Sequence, residues 1–340
     1  MSVTAKVSAI STIDTDQISL EGEIKSVLSK HFLCSPERII FQENKTKYHN
    51  ESAPLTADDD LSEIFHLMKN LNIEGITDPL LCTGSDGGNS FSASLLEAIG
   101  QFAEKYKGKK INYIELGPEP IKTKFIIEYL ISMGVSIDTY CSVDINPASA
   151  AYMRESLADI LPAASITHQI SAFENFRMDS EVFDDLPVLV TMLGFQEGND
   201  ESSTMNSWMK NIVKKDGYLL SEMQLMSEDT RQQVIGFYRN PNMIRFSKVA
   251  FTRAFGDLDS NYSSVLLPLT QKSGEKVNAM MMIESFTDVD GAQLHLVTNF
   301  CLKYTSAQYH QHRVQDQSFD VEFESLTGDN SVVFQLSRRT

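Results

Sequence analysis

A regular alternation of short apolar strands and amphipathic helices, running from Ile111 to Met223, constrains this chain more than any other feature. Residues 111–116 read as a strand and 123–133 as a helix closed by Gly134. Residues 136–143 read as a strand, 147–161 as a helix, and 166–170 and 187–193 as further strands. A helix over 202–213 and a Lys-Lys-Asp-Gly turn then lead into a strand over 218–223. Parallel strands need long crossovers, and a sheet covered by helices on both faces has near-continuous apolar strands. The expected fold class is therefore α/β, with a doubly wound, mainly parallel sheet.

The flanks are less regular. Residues 17–33 have the spacing of an amphipathic helix, and residues 60–71 (DLSEIFHLMKNL) that of another, with Asp58 or Asp59 as its cap. Residues 43–55 are polar and irregular, and 83–90 (TGSDGGNS) form a loop ahead of a helix over 91–106. From about Phe246 the pattern turns strand-rich, with strands over 278–286, 293–304 and 331–336 and turns at 288–291 and 327–330. There is no internal repeat. The expected organisation is a cofactor-binding domain over 76–225 and a discontinuous α+β substrate domain built from 1–75 and 226–340.

A chain of 340 residues is long enough for both units, and 42% apolar with 22% charged residues is ordinary globular usage. A net charge of −17 argues against a nucleic-acid or anionic-membrane surface, which needs clustered Lys and Arg. No run approaches the roughly 18 apolar residues of a membrane span, and the first residues lack the apolar stretch of a signal peptide. Cys34, Cys82, Cys141 and Cys301 are scattered without CxxC spacing, as expected of reduced thiols in a cytoplasmic protein. The partner implied is a small-molecule substrate; the oligomeric state is open.

A strand ending in Glu115-Leu116-Gly117 and opening into a helix marks the crevice where an α/β sheet binds a nucleotide. The next strand ends in Val143-Asp144, and a carboxylate roughly 30 residues after the first glycine can accept both ribose hydroxyls. The loop itself reads Gly117-Pro118-Glu119-Pro120. Its prolines remove N–H donors and Glu119 repels phosphate, so it suits a pyrophosphate badly. S-adenosyl-L-methionine carries a cationic sulfonium and no phosphate, and fits such a loop better than a nicotinamide dinucleotide does.

Four stretches then carry a family resemblance. They are Glu115-Leu116-Gly117 with Lys122-Thr123-Lys124, Val143-Asp144-Ile145 before an alanine-rich helix, Leu193-Gly194-Phe195-Gln196-Glu197-Gly198-Asn199, and Phe300-Cys301-Leu302-Lys303-Tyr304. In order and spacing they resemble the histidine-specific, S-adenosylmethionine-dependent methyltransferase family. That family includes the ergothioneine-pathway Nα-methyltransferase and the fungal dimethylallyltryptophan N-methyltransferase. The resemblance covers about residues 105–340. It implies a class I, Rossmann-like methyltransferase in small-molecule, secondary-metabolite chemistry.

Carried over residue by residue, Glu115, Gly117, Lys122, Asp144, Leu193 and Gly194 would line the cofactor, and Phe173 would flank its adenine. Asn199 would contact the acceptor amine and Tyr238 would lie over the substrate, the pair expected to act in catalysis. Asn299 and Cys301 stand where the family reads an imidazole with a glutamate and a serine, so histidine is not the expected acceptor. Ala172 replaces the aspartate before the adenine phenylalanine, with Glu174 a substitute. The expected activity is methylation of the amine of an amino acid or amino-acid-derived metabolite. The alternatives are O- or C-methylation of a small aromatic or keto acid, or a non-catalytic relative that binds ligand.

Plainer readings stand beside these. Asn199 could cap the helix that begins near Ser202, and Tyr238 could be a packing residue. The Met280-Met281-Met282 run reads as strand core or as the wall of an apolar pocket. His310 and His312 lack a third ligand nearby in sequence, so no metal site is expected. The Asp58-Asp59-Asp60 run reads as a solvated helix start.

Overall fold

The computed structural model describes residues 19–42, 61–178, 183 and 185–340. The proposed caps at Asp58 and Asp59 and the irregular stretch over 43–55 lie outside the described residues. Helix α1 (Leu20–Phe32) starts where the Ser19 hydroxyl accepts from Gly22 N, and β1 (Ile39–Phe41) follows it. Helices α2 (Leu61–Thr77) and α3 (Phe91–Tyr106) lead into the expected alternation. It runs β2 (Lys110–Leu116), α4 (Pro120–Ser132), β3 (Ser136–Asp144), α5 (Ser149–Leu157), β4 (Ile166–Ile170), β5 (Val188–Met192), α6 (Ser202–Ile212) and β6 (Tyr218–Gln224).

The remainder is α7 (Arg231–Tyr238), α8 (Pro241–Phe255), β7 (Ser260–Thr270), β8 (Lys276–Thr287), β9 (Gln293–Lys303), α9 (Ser306–Val314), β10 (Phe319–Leu326) and β11 (Val332–Arg339). Helix α8 departs from the sequence reading, which turned strand-rich at Phe246. Asn240 caps α8, Pro241 opens it and Gly256 closes it at φ +67°, while Met243, Phe246, Val249, Ala250 and Phe251 are buried at helical spacing.

The strands form two sheets. The larger has seven strands in the order β4-β3-β2-β5-β6-β11-β10. Strands β4 to β6 are mutually parallel, whereas β11 runs antiparallel to β6 and β10 antiparallel to β11. Strand β2 lies between β3 and β5, so the order reverses there, and a crevice opens beyond the carboxyl ends of those strands. Ile111, Tyr113, Ile126 and Leu130 pack with α3 on one face; Ile114, Leu116, Met205 and Met209 pack on the other. The last two strands were expected in the substrate unit but belong to this sheet. Val332 to Ser337 are all buried, a pattern that suits a strand enclosed between β6 and β10.

The smaller sheet has the order β1-β9-β8-β7, with β1 parallel to β9 and the other pairs antiparallel. Its two faces bury different residues. Met280, Met282 and Cys301 join the core of the larger sheet, while Met281, Ile283 and Leu302 pack with Ile24 and Leu28 of α1. All three methionines are fully buried. Among the described residues, no helix is long and apolar enough to cross a membrane.

Gly84 and Gly88 of the 83–90 loop are explained by backbone contact. Gly328, in the turn between β10 and β11, donates to Asn89 O at 2.8 Å, and Asp329 N donates to Cys82 O at 3.1 Å. A Cβ on Gly328 would stand 2.7 Å from Gly88 Cα and 2.9 Å from Gly84 N. Gly328→Ala is therefore expected to lower the unfolding free energy by about 1–3 kcal/mol. Gly236→Ala, in the exposed middle of α7 with open space around it, is expected to raise it by about 0.5–1 kcal/mol. Urea unfolding of the two variants checks both signs.

Candidate functional site

The carboxyl ends of β2, β3 and β5 bring together most of the residues expected around a cofactor. Gly117 sits at φ +67°, with its N–H donating to Val143 O at 2.9 Å. Its carbonyl accepts from Gln196 Nε2 at 3.2 Å. The Gln196 amide lies so close that a Cβ on Gly117 would stand 2.7 Å from Cδ of that side chain. Gln196, unremarked in the sequence, thus covers the glycine.

Helix α4 begins directly after this loop. Glu119 is its cap, accepting from Ile121 N and Lys122 N at 3.0 Å each, and Pro120 occupies the first turn. The other carboxylate oxygen of Glu119 is buried without a hydrogen-bond partner among the described residues. Burial pushes the Glu119 carboxyl up to about 7.

Glu115 is held below the loop. Its Oε2 accepts from Thr123 Oγ1 at 2.5 Å and from the Tyr140 hydroxyl at 2.7 Å, which fastens β2 to α4 and β3. Burial raises its carboxyl to about 8. Lys122 is buried, and its Nζ lies 2.6 Å from Glu222 Oε2 of β6 and 5.2 Å from the centre of the Phe91 ring.

Asp144 ends β3 half-buried. Its Oδ1 accepts from Asn146 N at 2.7 Å, and burial pushes the carboxyl up to about 7. Ser171 N donates to Asp144 O at 3.0 Å, which brings the short helical turn at Phe173 beside it. Phe173 is partly buried, and Glu174 is exposed. After β5, Leu193 turns into the core, and Gly194 is exposed at φ +74° with open space where a side chain would stand.

The next residues reach the smaller sheet. Phe195 takes φ +62°, and its carbonyl accepts from Cys301 Sγ at 3.4 Å. Gly198 lies flush against β9, where a Cβ would stand 2.7 Å from Leu302 O. Tyr238 is buried; its carbonyl accepts from the Tyr262 hydroxyl at 2.5 Å, and burial with the neighbouring Cys301 raises its phenol well above the usual range. Asn299 is half-buried and shares the Cys301 face of β9, opposite Met282.

Asn199 follows Gly198 in the same turn. It is exposed at the end of the short turn Gln196–Asn199 and makes no side-chain hydrogen bond among the described residues. It does not cap α6, whose capping position is Glu201. His310 and His312 reach different carboxylates, Glu324 and Glu275. Among the described residues, no group of three His, Cys, Asp or Glu side chains could hold a metal.

Sequence reasoning missed a buried polar network beside the cluster. Glu197 is bound by Arg313 through one carboxylate oxygen and by the Tyr309 hydroxyl, at 2.6 Å, through the other. Arg313 also donates to Asn206 Oδ1 at 2.9 Å and Gln335 Oε1 at 3.1 Å. A residual cavity of about 10 Å³ is lined by Glu197, Asn206, Tyr309 and Arg313, roughly the room one water needs. Neither charged member carries a local signal, since Glu197 sits in LGFQEGN and Arg313 in SAQYHQHRV.

No protein-family model and no curated protein matches the sequence. The resemblance to the histidine-specific family therefore rests on its motifs alone. Similar solved structures include the PH0226 protein from Pyrococcus horikoshii OT3, at 13% identity and TM-score 0.42, over 73% of this chain and 91% of that one. An S-adenosylmethionine-dependent methyltransferase from Mesorhizobium loti follows at 10% identity and TM-score 0.38, over 73% and 98%. The glycopeptide N-methyltransferase MtfA is similar at 12% identity and TM-score 0.38, over 73% and 96%. At these values the likeness adds nothing to the strand order itself. That order, with one antiparallel strand inserted beside β6, is the class I, Rossmann-like methyltransferase fold.

Arg313 is 2% exposed, so Glu197→Ala would leave a buried guanidinium without its carboxylate. A loss of about 3–5 kcal/mol in unfolding free energy is expected. Urea titration checks it, and a loss under 1 kcal/mol would mean that the pair is not what fixes the turn.

Proposed function

We propose that the chain is an S-adenosyl-L-methionine-dependent methyltransferase acting on a small molecule. Its acceptor is the amine of an amino acid or amino-acid-derived metabolite other than histidine. The observation that carries this reading is the seven-stranded order with Gly117 and Asp144 flanking the point where it reverses. Ligands of open α/β sheets bind at that point.

The donor set at the crevice suits the cofactor. Asp144 has a carboxylate for ribose hydroxyls, and Glu119 has a buried carboxylate oxygen with nothing on it, which fits a cationic group. Lys122 is occupied by Glu222, so it is not free to meet a pyrophosphate. In this reading Glu115 supports the loop, Phe173 flanks the adenine, and Leu193 and Gly194 line the other wall.

The cofactor when bound supplies an activated methyl group with a good leaving group, so the chain's residues have only to align the acceptor, exclude water and take up one proton. Alignment of this kind is worth roughly 7–11 kcal/mol of barrier. Tyr238 and Cys301 form the wall of the acceptor side, Asn299 its rim, and Asn199 is the side chain free to meet the amine. Neither Asn299 nor Cys301 offers the carboxylate that would hold an imidazolium. A cytoplasmic setting and a role in secondary metabolism belong to the same reading.

One observation favours a second reading. Gln196 lies against Gly117, as it would in a non-catalytic relative whose cofactor site has decayed. Calorimetry with S-adenosylhomocysteine separates the two, since absence of binding at millimolar concentration would sink the enzyme reading. Gly117→Ala is expected to weaken that binding at least tenfold, because a side chain at φ +67° costs about 1–2 kcal/mol and drives Gln196 from its place.

The pH dependence follows from Asp144. Its carboxyl is raised to about 7, so at lower pH the free protein holds it neutral, and ribose hydroxyls favour the ionised acceptor. Affinity is expected to rise as pH climbs through about 7 and then level off. Asp144→Asn should bind more weakly with a flat profile over the same range. Asn199→Ala should lose turnover on a panel of amino-acid derivatives, read as product mass gain, while cofactor affinity stays put.

A further inference from the structure

Lys303 closes β9 with only 1% of its surface exposed, yet its Nζ has no hydrogen-bond partner among the described residues. The ammonium lies 5.1 Å from the centre of the Phe195 ring and 5.1 Å from that of Tyr238. Cys301, two residues earlier on the same face, lies alongside it. The carboxylate that acts on Lys303 is Glu222 of β6, already paired with Lys122 of α4 at 2.6 Å. Two buried lysines thus share one carboxylate.

Leaving a buried ammonium without hydrogen bonds or a full counter-charge is expensive, and burial pushes the Lys303 amine to a lower pKa. Aromatic faces compensate part of that cost. They leave the N–H donors with no oxygen to give to, and the Cys301 thiol beside them is a weak acceptor. A group in this condition marks a place where something else binds.

We propose that Lys303 is a substrate-binding residue that holds a carboxylate of the acceptor, so that the acceptor is a small carboxylic acid with an apolar or aromatic body. This rests on the methyltransferase reading above and narrows it. A carboxylate on Lys303 turns two cations and one anion into two balanced pairs, and the rings of Phe195 and Tyr238 suit an apolar body beside it. The cofactor's methionine end also carries a carboxylate. Lys303 stands on the smaller sheet with Cys301 and Met280, whereas Lys122 opens the helix after the cofactor loop, and this division assigns Lys303 to the acceptor.

The test uses phenylacetate and its uncharged analogue phenylacetamide, titrated calorimetrically into the full chain with and without S-adenosylhomocysteine. Phenylacetate should bind at least about tenfold more tightly than the amide. Lys303→Met should erase that preference, keep S-adenosylhomocysteine affinity within about threefold, and melt no lower than the parent, because a methionine of similar length carries no buried charge.

Equal or absent binding of the two probes, or a preference that survives in Lys303→Met, overturns the proposal. A melting temperature well below the parent's also overturns it, since the lysine would then serve the fold. A fall in S-adenosylhomocysteine affinity in that variant assigns the carboxylate to the cofactor and overturns the acceptor assignment. If the parent chain binds no S-adenosylhomocysteine, the methyltransferase reading fails by itself, and the phenylacetate preference is still read without it.

Discussion

The buried pair of Glu197 and Arg313 fixes the turn that lies between the two sheets. The larger and smaller sheets have separate hydrogen-bond ladders, and the short turn Gln196–Asn199 lies between β6 and β9. A turn in that position has few backbone bonds of its own and must be fixed by side chains. Glu197 does this by reaching Arg313 and Tyr309 of α9, while Arg313 reaches Asn206 of α6 and Gln335 of β11. Desolvating such a pair can cost as much as its attraction returns, so its value lies in geometry more than in net stability. With the turn fixed, Gly198 lies flush on β9, Phe195 is held at positive φ, and its ring faces Lys303.

That geometry sorts the charges of an acidic chain. Net charge −17 would favour carboxylates at any cleft, and three of them cluster near the cofactor loop: Glu115, Glu119 and Asp144. Burial raises all three, and each responds differently. Glu115 is satisfied by two hydroxyls and acts as a fastener. Glu119 spends one oxygen on the helix start and keeps the other bare. Asp144, half-buried like Glu119, holds Asn146 N with one oxygen. Lys122 is buried beside two of these carboxylates, Glu115 and Glu119, and paired with Glu222, whereas Lys303 is buried on the smaller sheet.

The sequence made the larger sheet legible because parallel strands and their covering helices leave continuous apolar runs at regular spacing. Gly117 and Asp144 were legible for the same reason, since each ends such a strand. Strand β11 was readable as a strand but not as a neighbour of β6, because pairing between residues 332 and 224 leaves no local trace. Helix α8 was passed over, although Asn240, Pro241 and Gly256 mark its two ends. The Glu197–Arg313 pair, 116 residues apart, has no spacing signal at all. Lys303 was quoted within a motif, but its isolation from hydrogen-bond partners exists only once Phe195 and Tyr238 fold over it.

Strand alternation explains how such a site can change its acceptor without losing its fold. Residues 299, 301 and 303 share one face of β9, toward Met280, Met282 and the cleft, while Leu302 faces the core with α1. In the reading proposed here, the acceptor is sensed by the first set and the packing is carried by the second. A glutamate and a serine at 299 and 301 would make a hydrogen-bonding wall for an imidazole; asparagine and cysteine make a more apolar one. Either choice leaves Leu302, the Gly198 contact and the Arg313 network untouched. The cofactor half, set by strands that end at Gly117 and Asp144, stays independent of that exchange. The turn from Phe195 to Asn199 touches both halves, and a buried ion pair, rather than the flexible backbone of a loop, holds it.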